Sequence, residues 1–179
     1  ANIIIFRHKA SKKIKYPHVD HCVTNLKDAI KHRPQIAIIA NPATLHVKIA
    51  YTLAKLGIHL LIEKPISNSS KNVSNLINFC RKKKIVLMIG YNLRFMTSLK
   101  KLREILKKNI IGKILSIRSE VGQYLPLWRP NTDYTNSVSA KKKFGGGVLL
   151  ELSHEIDYLV WLFGNVKWLR SSIHKQSDL

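Results

Sequence analysis

Between Asn2 and Gly90, short apolar runs rich in β-branched residues alternate with longer stretches of helical periodicity, and few folds accept that alternation. Asn2–Phe6 reads as a strand and Asn25–His32 as a short helix ended by Arg33-Pro34. Gln35–Ala40 (QIAIIA) is apolar on both faces, as buried parallel strands are. Pro42 opens a helix that runs to about Lys55, where Gly57 supplies a stop. The strand His59–Glu63 follows and is halted by Lys64-Pro65. Ser67–Ser70 can cap a helix from Lys71 to Lys83, with Val73, Leu76, Ile77 and Cys80 on its inner stripe. Ile85–Gly90 closes the series as another strand. Strand–helix–strand order at this spacing predicts right-handed crossovers and a parallel sheet covered on both faces.

After Phe95 the pattern changes. Thr97–Asn109 is a basic amphipathic helix and Lys113–Val121 a longer strand with alternating faces. Gln123–Lys143 is polar with few regular signals; three glycines, 145 to 147, then lead into a helix over Val148–Phe163. Val166–Ile173 reads as a last strand. The expected division is a first unit over residues 1–92 and a second over 93–179, the second too poor in strands to close a sheet.

A chain of 179 residues can bury roughly 70% of its unfolded surface, so it needs no covalent staples. Its 45% apolar content argues against disorder. Two cysteines in no metal-spaced pair, Cys22 and Cys80, disfavour a disulfide framework and a thiolate zinc site, and point to a reducing, cytoplasmic setting. No apolar run is long enough to span a bilayer. The chain opens at Ala1 directly into an apolar run, without the Met of a natural start, which suggests a cut N-terminus.

Candidate chemistry lies in three places. On the helix after the glycines, at about 100° per residue, Glu151, His154, Asp157 and Tyr158 share a wedge, while Val148, Leu149, Leu152, Ile156, Leu159, Val160 and Phe163 fill the opposite arc. A carboxylate beside an imidazole suits general acid–base chemistry; the plain alternative is a half-exposed helix whose polar stripe meets water. Glu63-Lys64-Pro65 stands at the carboxyl end of a parallel strand, where open α/β sheets bind ligands and where an ammonium can face an oxyanion or phosphate. Asn41-Pro42 holds the equivalent place one strand earlier, although a simple Asn–Pro turn explains it equally well.

The run Ile36–Pro65 (IAIIANPATLHVKIAYTLAKLGIHLLIEKP), then Gly90–Phe95 (GYNLRF), then Gly145–Gly164 (GGGVLLELSHEIDYLVWLFG) resembles the glucose–fructose oxidoreductase/inositol dehydrogenase family, Gfo/Idh/MocA, in motif order and spacing. Trp128-Arg129-Pro130, Asp133-Tyr134 and Ser139-Ala140 resemble its branch acting on sugars for surface polysaccharides. The resemblance implies a pyridine-nucleotide oxidoreductase of sugar or cyclitol hydroxyls, with a Rossmann domain and an open-sheet α/β domain, homo-oligomeric at full length. It implies that Lys64 positions the reacting hydroxyl, that His154 takes its proton and that Asp157 orients the imidazole or binds a neighbouring hydroxyl. Asn41, Pro42, His46, Glu63 and Lys64 would line the cofactor groove, with Tyr91 and Arg94 bordering nicotinamide and substrate. Arg129 would meet a phosphate or carboxylate of a sugar or nucleotide-sugar substrate. Where the family commonly carries an Asp four residues before the histidine, this chain has Glu151 three before it, still on one helical face.

A dinucleotide fold also needs a G-x-G-x-x-G turn to seat the pyrophosphate, and no subset of the eight glycines forms one. Asn2–Phe6 matches the family's second strand, so the first strand, its phosphate loop and the following helix are expected to be missing, as is much of the C-terminal sheet. The reading is of an incomplete Rossmann-type sheet followed by part of the substrate domain, a fragment inactive by itself. Arg7, with His8 and Lys9, stands where an acid for the ribose 2′-hydroxyl is usual, which favours NADP over NAD, unless Arg7 is just one more cation in a basic chain.

That basicity is large: 31 Lys and Arg against 10 Asp and Glu give +21. Clusters at Lys12–Lys15, Arg81–Lys84, Lys100–Lys108 and Lys141–Lys143 admit a second class, a basic nucleic-acid-binding module. Aromatics do not interleave with these lysines and no nucleic-acid-binding motif is present, so a solvated helix face is the simpler account. A third reading is a catalytically dead remnant of the fold.

Overall fold

The computed structural model describes residues 1–7 and 16–174. His8, Lys9 and the Lys12–Lys15 cluster lie outside the described residues. Two parallel sheets organise the first half. The smaller pairs β1 (Ile4–Phe6) with β2 (His21–Val23), and the larger has the order β3 (Ile36–Ile39), β4 (His59–Ile62), β5 (Leu87–Ile89). β4 is central, its Leu60 and Ile62 in register with Ala37 and Ile39 on one side and Leu87 and Ile89 on the other. β2 was not expected, because three residues of mixed polarity carry no periodic signal.

Helix α1 (Leu26–Lys31) starts where the Asn25 side chain accepts the Asp28 N–H at 2.8 Å. Helix α2 (Ala43–Ala54) contains neither Gly nor Pro, and its buried Ala50, Leu53 and Ala54 lie against Ile39, Leu60 and Ile62. The turn after it passes through Gly57, whose φ of +80° is open to glycine, and Ile58 N–H returns to Leu53 O at 3.3 Å. Helix α3 (Val73–Lys82) adds Leu76 and Cys80 to the same core. Its expected serine cap is not formed: Asn72, in the left-handed region, precedes the helix, and the Ser67 and Ser69 hydroxyls accept N–H groups of Ser69 and Lys71 in the turn before it. Ile77, expected inside, is exposed, because α3 meets the sheet through the narrower Leu76/Cys80 line.

Among the described residues only one face of the β3–β5 sheet is covered. Ile36, Ile38, Val86 and Met88 point away from α2 and α3, and Ile38 is 69% exposed, so the expected two-sided burial is corrected. Helix α4 (Thr97–Lys107) follows a one-turn helix over Asn92–Phe95. The strands expected at Lys113–Val121 and Val166–Ile173 are not formed; no strand among the described residues pairs with them, and Leu115 is 87% exposed. The polar stretch carries a short helix, α5 (Leu125–Trp128), and helical turns at Tyr134–Asn136 and Lys142–Phe144. The expected helix over Val148–Phe163 is two helices, α6 (Val148–Glu151) and α7 (Ser153–Phe163), separated at Leu152.

Candidate functional site

Three strand ends converge on one corner. β3 runs into Asn41-Pro42, β4 into Glu63-Lys64-Pro65 with a cis bond before Pro65, and β5 into Gly90-Tyr91 and the turn that carries Arg94. A hollow of about 270 Å³ opens there, lined among others by Asn41, Glu63, Lys64, Arg129, Ser139 and Glu151. Pro42 and His46 also border it.

His46 is 1% exposed, its Nδ1 2.9 Å from Pro65 O and its Nε2 2.7 Å from Asn41 O. Both ring nitrogens are occupied by backbone, so the imidazole braces the β3 and β4 ends against each other and offers nothing to a ligand. Glu63 lies over Gly90, where an added Cβ would stand 3.3 Å from its carboxylate oxygen, so glycine leaves room for the acid.

Lys64 Nζ donates to Glu151 O at 2.6 Å, across 87 residues of sequence. The interruption at Leu152 makes this bond available. In an unbroken helix the Glu155 N–H would be directed at Glu151 O; instead it donates to Leu152 O at 2.9 Å, and the Glu151 carbonyl turns to Lys64. The amine is thus tied to the helical segment carrying His154, three residues on. His154 Nε2 lies 3.4 Å from Glu155 Oε1, while His154 Nδ1, Ser153 Oγ and Asn41 Oδ1 are buried without a hydrogen-bond partner among the described residues. A buried unpaired acceptor costs about 1–3 kcal/mol, which a ligand's donor would recover.

Asp157 makes its hydrogen bonds to Arg94 and not to the imidazole. Both its oxygens accept from Arg94, Oδ2 from Nε at 2.7 Å and Oδ1 from Nη2 at 2.6 Å, and this bond pushes the guanidinium above its ordinary range. Tyr158 OH shares a hydrogen bond with Ser119 Oγ at 3.2 Å, and Arg103 lies over the Trp161 ring at 4.2 Å. The polar wedge of α6 and α7 therefore faces the rest of the chain, whereas Val148, Leu149, Ile156 and Phe163 of the opposite, apolar arc are exposed.

The three glycines let this segment approach. A Cβ on Gly146 would lie 2.3 Å from Val138 O, a distance no side chain tolerates. Gly145 has φ +87° and packs against Ala43 at the start of α2. Gly147 N–H donates to Ser139 O at 3.0 Å. Ser153 and Glu155 were not singled out from sequence, and Ser139 entered only through the branch resemblance; the glycine triplet is the signal that some backbone must come close, without saying which. Arg129 borders the hollow with its guanidinium 5.6 Å from the Trp128 ring centroid. Arg7 is not brought to this corner: it hydrogen-bonds Tyr16 OH and lies over that ring at the end of β1. Of the α4 cations, Lys101 pairs with Glu104 and Lys100 sits near Phe95.

Residues 3–91 match the model of an oxidoreductase family with an NAD-binding Rossmann fold, and residues 99–178 match the C-terminal domain of the same family. An uncharacterized oxidoreductase of Synechocystis is 28% identical over 92% of this chain and 44% of its own length. The levoglucosan dehydrogenase of Pseudarthrobacter phenanthrenivorans is 30% identical over 70% of this chain and 32% of its own. A solved levoglucosan dehydrogenase in complex with NADH and levoglucosan superposes with a TM-score of 0.69, at 27% identity, over 82% of this chain and 39% of that one. The chain thus spans less than half the length of these relatives.

Proposed function

The chain belongs to the Gfo/Idh/MocA oxidoreductase family, and from that premise we propose that its strand-end corner is the reacting end of an NAD(P)-dependent dehydrogenase acting on sugar or cyclitol hydroxyls. The observation that carries the reading is the 2.6 Å bond from Lys64 to Glu151 O, which ties a strand-end amine to the segment bearing His154 beside a polar hollow.

In the reaction, the carbinol carbon gives up a hydride as its hydroxyl gives up a proton, leaving a carbonyl. The nicotinamide cofactor supplies the hydride acceptor. Lys64 keeps two N–H donors beyond the one spent on Glu151, and these hold the reacting oxygen and stabilise its developing negative charge. His154 takes the proton at Nδ1, the nitrogen left without a partner among the described residues, while Nε2 lies 3.4 Å from the Glu155 carboxylate. Glu151 and Arg129 grip the rest of the substrate, the guanidinium receiving a phosphate or carboxylate if the sugar carries one. Residues 1–92 serve as the nucleotide-binding part and 93–179 as the substrate part.

The residues present fit the nicotinamide end of such a cofactor. The orphaned Asn41 Oδ1 is an acceptor for a carboxamide N–H, and Pro42, Glu63 and Tyr91 lie at the same strand ends. They do not supply a pyrophosphate seat, since no glycine-rich phosphate turn is in the sequence. Arg7 supports NADP over NAD only as an exposed cation at the end of β1. The test joins a strand, glycine-rich turn and helix ahead of Ala1 to supply the pyrophosphate seat, and follows hydride transfer by NAD(P)H absorbance with a panel of cyclitols, anhydrosugars and uronic-acid nucleotide sugars. Turnover that falls at least about a hundredfold in both Lys64→Met and His154→Asn supports the reading. No turnover across the panel, or equal rates in all three proteins, overturns it for this chain.

A further inference from the structure

We propose that Arg94 and Asp157 are a positioning pair that sets where His154 stands relative to Lys64; the inference rests on the catalytic reading of those two residues. His154, near the start of α7, lies midway in sequence between two attachments, one on the last residue of α6 and one on α7 itself. Three residues before it, Glu151 O accepts from Lys64 at the end of β4. Three residues after it, Asp157 accepts twice from Arg94 just beyond β5. Adjacent strands of one sheet thus hold the segment on either side of the imidazole.

The other named contacts of the segment are single ones that fall beyond Asp157, Tyr158 OH with Ser119 Oγ and the Trp161 ring under Arg103. No residue of α6 or α7 is fully buried, and much of their apolar arc faces outward. The ring itself has no hydrogen bond at Nδ1 and only the 3.4 Å approach of Glu155 at Nε2, so its place follows from the helix's place. A single lysine contact fixes a distance but leaves rotation free. A two-point guanidinium–carboxylate contact fixes both, and the Asp157 side chain that makes it is only 11% exposed.

The experiment follows the His154 ring resonances by NMR in the whole chain, without cofactor or substrate, in Asp157→Asn, Arg94→Lys and the exchanged pair Arg94→Asp with Asp157→Arg. Leu76→Ala, in the core away from this corner, controls for lost stability. The pair is upheld if the single His154 ring signal of the parent splits or broadens in Asp157→Asn and Arg94→Lys, persists in Leu76→Ala and is regained in the exchanged pair. It is overturned if the signal is unchanged in Asp157→Asn, or shifts equally in Leu76→Ala. Should Asp157→Asn fail to fold by circular dichroism, Arg94→Lys, which keeps the charge and loses the fork, is judged by the same outcomes. Because no turnover is read, an absence of hydride transfer would overturn the proposed function and leave this measurement intact, while an unmoved imidazole would overturn the pair even in an active protein.

Discussion

The Lys64 ammonium stands 2.6 Å from the Glu151 carbonyl oxygen and joins the central strand's end to the helical segment 87 residues later. Lys64→Met keeps most of the side chain's volume and removes this charge-assisted bond. We expect a loss of about 1.5–3 kcal/mol in urea unfolding, the range for bonds to charged groups. A change below about 0.5 kcal/mol would show that the segment is held by other contacts.

Gly146 and Gly122 form a natural pair for comparison. A Cβ on the first would lie 2.3 Å from Val138 O, whereas nothing stands within 4 Å of one on the second. Gly146→Ala is expected to destabilise by about 1–3 kcal/mol through overpacking, and Gly122→Ala to stay within about 0.5 kcal/mol, both by urea unfolding.

The two thiols should differ sharply. Burial pushes the Cys80 thiol above its ordinary range, while Cys22 is exposed. A disulfide reagent at mildly alkaline pH should label Cys22 quickly and Cys80 only on unfolding. The unfolded thiol ionises first as pH rises, so Cys80 favours the folded state below the ordinary thiol pKa and ceases to do so as pH climbs through its raised folded value. Two equally fast thiols would mean that α3 leaves the sheet readily.

Asp133 supplies an acid-sensitive turn. The Thr135 hydroxyl at 2.6 Å and the Thr135 N–H at 2.9 Å hold its carboxyl below the ordinary value of 3.8. The turn's stabilisation is therefore complete above 3.8 and fades as pH falls through the lower folded value. The Thr135 amide shift should titrate with a midpoint below 3.8, and Asp133→Asn should abolish that titration.

Much of the first half was legible in the sequence because strands such as Ile36–Ile39 and His59–Ile62 are apolar runs bounded by turn residues, and α2 is an unbroken helical pattern. The second half was not. Lys113–Val121 alternates as strands do, but a strand exists only with a partner, and none lies beside it among the described residues. The break at Leu152 gave no warning, since Glu151-Leu152-Ser153 contains neither Gly nor Pro. At the site, the placement of Lys64 and Asn41 at strand ends followed from the pattern. The meeting of Arg94 with Asp157 did not, because periodicity is local and these residues are 63 apart.

The interrupted helix also governs the electrostatics of the hollow. Had the amine found the carboxylate of Glu151, two opposite charges would have cancelled at short range. It meets a neutral peptide oxygen instead, so the bond that anchors the ammonium is not itself an ion pair. A kink one residue long therefore decides whether the amine at the cavity is anchored by a carbonyl or by a carboxylate.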